Sequence, residues 1–333
     1  MHLHLLQRCN LSCLHCYSDS GPGATAALTL DEALGAVELG KALGYTHVAI
    51  SGGEPLLSPH LEAVIAKARA LDQQVSIVTN GLQAADPAQT KRLSGADSVC
   101  VSLDGVGATH DAMRRRSGAY VRALRALTAI SDAGLQCGVS CGVSTRNLDE
   151  LEAVVASASS AGASFVNFHA IEAAGRALAM GSGELLDRET QTVLYVAAHL
   201  IARAVADSCT VHCDLVHRLV ASEHPRLLYA DAPERGPNGD NIGSRLGVLV
   251  VEPSGLLSPV CYGFDRALSL GTVQQAIESR GDSIARNMAP VMQTLAESGD
   301  LLLRELETDE DWVVFNPSAE LARTAALIAH RQG

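Results

Sequence analysis

Residues 2–17 read His2-Leu3-His4-Leu5-Leu6-Gln7-Arg8-Cys9-Asn10-Leu11-Ser12-Cys13-Leu14-His15-Cys16-Tyr17. The first five residues alternate as a short β-strand does, and the spacing Cys-x3-Cys-x2-Cys comes soon after them. Three thiols at these offsets can converge from one loop, and thiolates are the ligands that iron–sulfur clusters and zinc prefer. A closed zinc site needs four ligands, and His15 could be the fourth. A four-iron cluster on three cysteines would instead leave one iron open to a non-protein ligand.

The next 150 residues alternate short apolar runs with helical patterns. We predict strands at 47–50, 75–78, 98–103, 136–144 and 164–170, and helices at 28–43, 60–71, 120–133 and 148–160. This alternation indicates βαβ units and a parallel sheet, although periodicity does not separate a barrel from an open sheet. Polar and glycine clusters follow successive strands at 9–17, 52–55, 79–81 and 102–105. Enzymes with α/β folds place their sites at these strand ends.

Composition narrows the class of protein. The chain has 333 residues, 47% of them apolar, and a formal charge of -12. We expect no membrane span, since no apolar run is long enough, and no nucleic-acid partner, since no basic block could neutralise phosphates. We also expect no signal peptide. Nine cysteines without a regular framework favour a reducing cytoplasm over disulfide bonds.

The cysteine triplet and the sequence Gly52-Gly53-Glu54-Pro55, one βα unit later, together resemble the radical S-adenosylmethionine (SAM) superfamily. The resemblance implies a laterally open, partial (β/α)6 TIM-like barrel. It also implies that Cys9, Cys13 and Cys16 bind a [4Fe–4S] cluster whose open iron chelates the amine and carboxylate of SAM. Glu54 and the backbone of Gly52 and Gly53 would hold the methionine amine.

A second group of motifs is similar to the peptide-modifying branch of that superfamily. It comprises Ser102-Leu103-Asp104-Gly105, His110-Asp111-x-x-Arg114, Gly118-x-Tyr120 and Gly175-Arg176-Ala177. The resemblance implies that Ser102 lies near the ribose or carboxylate of SAM and that Arg114 pairs with the carboxylate. Arg115 stands where the branch often has glycine, so the register of the arginine is open, and a solvated basic turn is the alternative.

Further candidates rest on their place at strand ends or beside the cysteines. Thr79 and Asn80 are candidates for binding SAM or substrate. Tyr17 is expected either to pack on the adenine or to be an ordinary core residue. His169 and Glu172 could face the barrel mouth, or could have structural roles.

The pattern changes after residue 177. We expect a core barrel at 1–225 and a small α+β extension at 226–333, with a loop from Pro225 to Ser244 and a β-hairpin at 246–252 and 256–260. The hairpin followed by Cys261 resembles the start of a SPASM or twitch extension, which binds auxiliary [4Fe–4S] clusters through about seven cysteines. No cysteine follows Cys261 here, so we predict that Cys209, Cys213 and Cys261 pack as small hydrophobes; an auxiliary cluster is the alternative.

The resemblance implies an enzyme that receives an electron from a flavodoxin-like or ferredoxin-like donor. It would cleave SAM to methionine and a 5′-deoxyadenosyl radical, which abstracts hydrogen from a substrate. The branch motifs point to crosslinking, epimerisation or oxidation of a ribosomally made peptide. The alternatives are a dehydratase, epimerase or dehydrogenase that acts on a small molecule, or a non-catalytic iron–sulfur or zinc protein. The residues do not identify a catalytic side chain.

Overall fold

The computed structural model describes residues 1–181, 183–225, 242–309 and 311–332. Eight short parallel strands form most of one sheet, and the first six of them follow the predicted order along the chain. These strands are β1 (His2–His4), β2 (His47–Ser51), β3 (Gln74–Thr79), β4 (Ser98–Ser102), β5 (Gln136–Val143), β6 (Phe165–Ala170), β7 (Thr210–Cys213) and β9 (Leu249–Val251).

The sheet has nine strands in the order β10-β9-β1-β2-β3-β4-β5-β6-β7, where β10 (Leu257–Pro259) pairs antiparallel with β9. Within the described residues, β10 and β7 are the two ends of this order and do not pair with each other. The laterally open, barrel-like sheet that the sequence predicts is therefore confirmed. The predicted hairpin is also confirmed, and it extends the sheet through parallel pairing of β9 with β1.

Helices follow most of the strands, as expected for βαβ units. They are α1 (Leu30–Ala42), α2 (Leu61–Ala70), α3 (Pro87–Lys91), α4 (Ala108–Arg114), α5 (Ala119–Asp132), α6 (Leu151–Ser160), α7 (Arg188–Ala204), α8 (Arg218–Glu223), α9 (Ile242–Arg245), α10 (Val273–Glu278), α11 (Asp282–Thr308) and α12 (Pro317–Gln332). Thr29 caps α1 in a reciprocal pair of hydrogen bonds with Glu32. The core between helices and sheet is aliphatic, with fully buried strand residues such as Ile50, Ile77 and Val139.

The C-terminal region packs against the rest of the chain. Its long helix α11 lies beside α12, and β11 (Val314–Phe315) pairs antiparallel with β8 (Val216–His217). Most of the predicted loop from Pro225 to Ser244 falls outside the described residues, while its last three residues belong to α9. The division at residue 225 stays a prediction. No helix in the described ranges is long and apolar enough to cross a lipid bilayer.

Candidate active site

The three cysteines of the triplet lie in the loop that follows β1. Cys9 and Cys13 are buried with Leu11, and Cys16 and Leu82 pack against them. Burial raises the pKa of the Cys9 thiol to about 12 and also raises that of Cys13. Protonated thiols are poor metal ligands, so an electropositive centre bound here would stabilise the thiolates. The expected grouping of the three side chains is present in the structure.

The Gly52-Gly53 turn after β2 lies directly against this loop. The N–H of Gly53 donates to the Leu6 carbonyl at 2.6 Å, and the N–H of Glu54 donates to the Arg8 carbonyl at 3.0 Å. A Cβ atom on Gly53 would lie 2.1 Å from the Arg8 carbonyl oxygen. A glycine is thus required for the two backbones to approach so closely. The motif places Glu54 beside the cysteine loop.

Glu54 is buried, and its carboxylate joins the ends of two neighbouring strands. Its oxygens accept hydrogen bonds from the Leu56 N–H at 3.1 Å, the Thr79 hydroxyl at 2.7 Å and the Asn80 N–H at 2.8 Å. Burial raises the pKa of Glu54, against the effect of these hydrogen bonds. The carboxylate therefore organises the strand ends, and a ligand amine would have to share its oxygens with these donors.

Asn80 connects the end of β3 to the cysteine loop. Its side-chain amide donates to Oδ1 of Asn10 at 2.7 Å and lies 3.7 Å from Sγ of Cys9. The side-chain oxygen Oδ1 of Asn80 accepts from the Leu82 N–H at 3.0 Å. Donors to ligand sulfurs tune the potential of an iron–sulfur cluster. Asn80 is thereby placed beside a predicted ligand.

Asp104, at the end of β4, is fully buried and is the centre of a charged network that the sequence did not reveal. Its Oδ2 lies 2.6 Å from Nε of Arg114 and 3.2 Å from Nε2 of His15. The Gly142 N–H donates to Oδ1 at 2.9 Å. Burial opposes ionisation, but the charge of Arg114, with smaller contributions from neighbouring groups, lowers the pKa of Asp104 to about 2.

Arg114 carries this network to the cysteine loop. Its Nη1 donates to Sγ of Cys13 at 3.7 Å. Helix α4 ends at Arg114, and the next residue, Arg115, caps it in a left-handed conformation with φ of 50°. The side chain of Arg114 is 11% exposed, whereas Arg115 and Arg116 face solvent. Arg114 is therefore the arginine that reaches the site, and its buried face could have been recognised from His110, four residues earlier on the same helix.

The remaining predicted residues lie near the same loop or farther out along the sheet. Ser102 is buried at the end of β4. Tyr17 is 44% exposed, and its ring meets those of His4 and Tyr262 edge-on, at centroid distances of 6.0 and 5.5 Å. Tyr262 follows β10, so the hairpin contributes to the surroundings of the loop. This contribution had no signal in the sequence beyond the hairpin itself.

His169, near the end of β6, and Glu172, two residues beyond that strand, form a separate cluster. Nδ1 of His169 lies 3.3 Å from Oδ2 of Asp214, which also accepts from Asn316 at 2.8 Å. Burial of the carboxyl among protein atoms, and then Asp214 and Glu320, raise the pKa of Glu172 to about 7, although the residue as a whole is exposed. A carboxyl with this pKa can exchange protons near neutral pH.

All nine cysteines have free thiols. Cys209 is buried, and Cys213 and Cys261 are half-buried. In the described parts of the chain, no three His, Cys, Asp or Glu side chains are grouped so as to hold one metal ion. A four-iron cluster makes a different demand, because each thiolate binds a different iron. One loop with three thiols, two of which have nitrogen donors 3.7 Å away, fits that demand.

Comparison with known proteins agrees with this geometry. Residues 3–158 match the family described as Radical SAM superfamily. The chain is 35% identical over 153 residues to pre-heme d1 synthase of Dinoroseobacter shibae. That match covers 44% of this chain and 37% of the relative. It is also 31% identical over 163 residues to the sporulation killing factor maturation protein SkfB of Bacillus subtilis. This match covers 48% of this chain and 40% of SkfB. The chain thus matches about two fifths of the length of these relatives.

A solved structure resembles most of the fold. Streptococcus suis SuiB bound to S-adenosylmethionine superposes with a TM-score of 0.59 at 13% identity, over 79% of this chain and 60% of SuiB. The likeness at that identity is one of fold. The superfamily uses a [4Fe–4S] cluster and SAM, which the cysteine loop fits. By the family model that it matches, the segment 3–158 of this chain is a radical SAM domain.

Proposed function

We propose that this protein is a radical SAM enzyme that modifies a peptide. Cys9, Cys13 and Cys16 would hold the [4Fe–4S] cluster. When bound, the cluster and SAM supply an electron and a 5′-deoxyadenosyl radical that takes hydrogen from a substrate carbon. The observation that supports this assignment is that the cysteine loop, the Gly52-Gly53 turn and the buried Glu54 meet at the carboxyl ends of β1 and β2.

The chain's own residues would then bind and orient SAM. Glu54, which is buried and faces the end of β3, would share its carboxylate with the methionine amine. Arg114 uses Nε for Asp104 and Nη1 for Cys13, and it would offer Nη2 to the methionine carboxylate. Thr79, Asn80 and Ser102 lie at neighbouring strand ends and would line the same site. Gly52 and Gly53 would keep it close to the cluster.

Tyr17 would cover the adenine side of the site, because it follows Cys16 and the residue is 44% exposed. A flavodoxin-like or ferredoxin-like protein would supply the electron. Burial of Cys9 and Cys13 would keep water from the cluster, which protects a reactive radical from side reactions.

The open side of the sheet supports a peptide as the substrate. In the described residues β7 and β10 leave the sheet unclosed, so an extended chain could enter sideways and leave part of its length outside. His169 lies near the end of β6 and Glu172 just after this strand, which is the neighbour of the end strand β7. These two side chains would contact the peptide, and Glu172 would accept or return a proton during the modification.

The test uses a short peptide encoded beside the gene, deuterated at its α and β carbons. Reconstituted protein with SAM and a reductant should transfer deuterium to 5′-deoxyadenosine, while the Cys13→Ala variant should transfer none. A product that is lighter by two hydrogens would indicate crosslinking or oxidation. Replacement of one peptide deuterium by hydrogen from ordinary water, with no other change of mass, would indicate epimerisation. No transfer from any peptide would refute the peptide assignment.

A small-molecule substrate is the second candidate, since pre-heme d1 synthase is named for a tetrapyrrole product and matches the same segment. A radical SAM enzyme of this kind would act as a dehydratase, epimerase or dehydrogenase. Transfer of deuterium from a labelled tetrapyrrole, with none from peptides, would favour it. Production of 5′-deoxyadenosine separates both candidates from a non-catalytic iron–sulfur protein.

A further inference from the structure

The turn after β6 holds the cysteine loop through one arginine. Nε of Arg176 donates to the Cys13 carbonyl at 2.8 Å, and its backbone N–H donates to the Cys16 carbonyl at 3.0 Å. Nη2 donates to the Ser20 carbonyl at 2.6 Å, and Nη1 pairs with Asp19 at 2.9 Å. A single residue thus contacts the loop at four points and touches the backbone of two predicted ligands.

The preceding glycine allows this approach. Gly175 has a φ of 53°, and a Cβ atom there would lie 2.4 Å from the carbonyl oxygens of both Cys16 and Tyr17. Real Cβ atoms do not come so close to backbone oxygens, so any side chain would push the turn away from the loop. The close contact between the two segments is therefore fixed by the residue type at 175.

The contact spans strands that are not neighbours. The loop follows β1 and the turn follows β6, and four strands separate them in the sheet. Residues 175 and 176 also lie outside the segment that matches the superfamily. The same turn lies a few residues after His169 and Glu172, the side chains assigned above to substrate.

We propose that Gly175 and Arg176 are positioning residues that hold the cluster loop in place and join it to the substrate side of the site. This inference rests on the proposed function. The guanidinium places a positive charge at the carbonyls of the ligand loop. Because reduction adds negative charge to the cluster, the guanidinium raises its reduction potential.

The experiment compares Arg176→Gln with Arg188→Gln in the reconstituted protein. Arg188 is a suitable control because it pairs with Asp309 at the surface and stacks on Trp312, and neither of these residues belongs to the cysteine loop. We expect Arg176→Gln to lose iron to a chelator about tenfold faster than the control, since charge-assisted hydrogen bonds are removed. Its reduction potential, measured by titration with detection by electron paramagnetic resonance, should fall below that of the control.

Two further variants separate charge from geometry. Arg176→Lys keeps the charge without the fork of donors, so its potential should stay near that of the wild type while iron loss remains fast. Gly175→Ala should accelerate iron loss although Arg176 is retained. If Arg176→Gln does not fold, these two variants decide the matter.

Iron loss and potential equal to those of Arg188→Gln in every variant would overturn the inference. A wild-type protein that takes up no cluster would instead refute the proposed function. The two failures are therefore distinguishable.

Discussion

Replacing Asp104 by asparagine should strongly destabilise the protein before any cofactor is bound. Asp104 is 0% exposed and Arg114 is 11% exposed, with 2.6 Å between Oδ2 and Nε. The change leaves the guanidinium buried without its counter-charge. Removal of one partner of a buried ion pair costs about 3–5 kcal/mol, and we expect a loss of that size in the free energy of unfolding.

The matched control is Asp309→Asn, which breaks the surface pair with Arg188. Those side chains are 39% and 51% exposed, and such pairs contribute about 0–1 kcal/mol. Urea unfolding of the cluster-free proteins, followed by circular dichroism, measures both variants. A double variant, Asp104→Asn with Arg114→Met, should regain part of the loss, because it removes the unpaired charge. Equal effects of Asp104→Asn and Asp309→Asn would refute the argument.

The same carboxyl predicts a pH dependence. Its pKa is about 2 in the folded protein against the ordinary value of 3.8. A depressed pKa stabilises the folded state above the unfolded pKa, and this contribution is lost as the pH falls toward 2. The difference in pKa corresponds to about 2 kcal/mol. Between pH 5 and pH 2, the free energy of unfolding of the wild type should therefore fall by about 2 kcal/mol more than that of Asp104→Asn. Parallel pH profiles of the two proteins would contradict this.

Three other outcomes follow from the candidate site. Reconstituted wild type should bind about four irons per chain, and joint replacement of Cys9, Cys13 and Cys16 by alanine should remove them; a full iron load in that variant would eliminate the triplet as the ligands. Glu54→Gln should keep the iron but weaken SAM binding about tenfold, as loss of a charged hydrogen bond would; unchanged affinity by calorimetry would remove Glu54 from the SAM site. Replacement of Cys209, Cys213 and Cys261 by alanine should leave the iron count and the Mössbauer spectrum unchanged, and loss of about half the iron would reveal an auxiliary cluster.

The sequence predicts the secondary structure well where local signals act alone. Thr29 and Glu32 fix the start of α1, and alternating apolar runs locate the strands at 47–51 and 74–79. It does not predict that the strand at 210–213 joins β6 at the edge of the sheet, or that the hairpin pairs with β1. Both pairings join segments distant in the chain, and periodicity carries no information about partners.

The same limit applies to the site. The spacing of Cys9, Cys13 and Cys16 is local, and the motif at 52–54 is local, so both are visible in the sequence. The contacts that fix these motifs are not visible in the sequence, because they join distant residues. Arg114 is 101 positions from Cys13 in the chain, and Arg176 is 163 positions from it. An arginine in a basic triplet has the same sequence signature whether it is buried or solvated. The left-handed residue at 115 decides which arginine turns inward.

Arg114 and Arg176 contact the cysteine loop in different ways. Arg114 approaches the sulfur of Cys13 and is neutralised by a buried carboxylate, so it acts mainly on the thiolate. Arg176 approaches the carbonyls of Cys13 and Ser20 and keeps an exposed partner in Asp19, so it acts mainly on the backbone. Backbone hydrogen bonds also fix this loop, among them the Cys9 N–H to the Gly21 carbonyl at 3.1 Å and the Leu14 N–H to the Met113 carbonyl at 2.9 Å. Arg114 from α4 and Arg176 from the turn after β6 add charged contacts to these backbone bonds, one at a predicted ligand sulfur and the other at the ligand backbone.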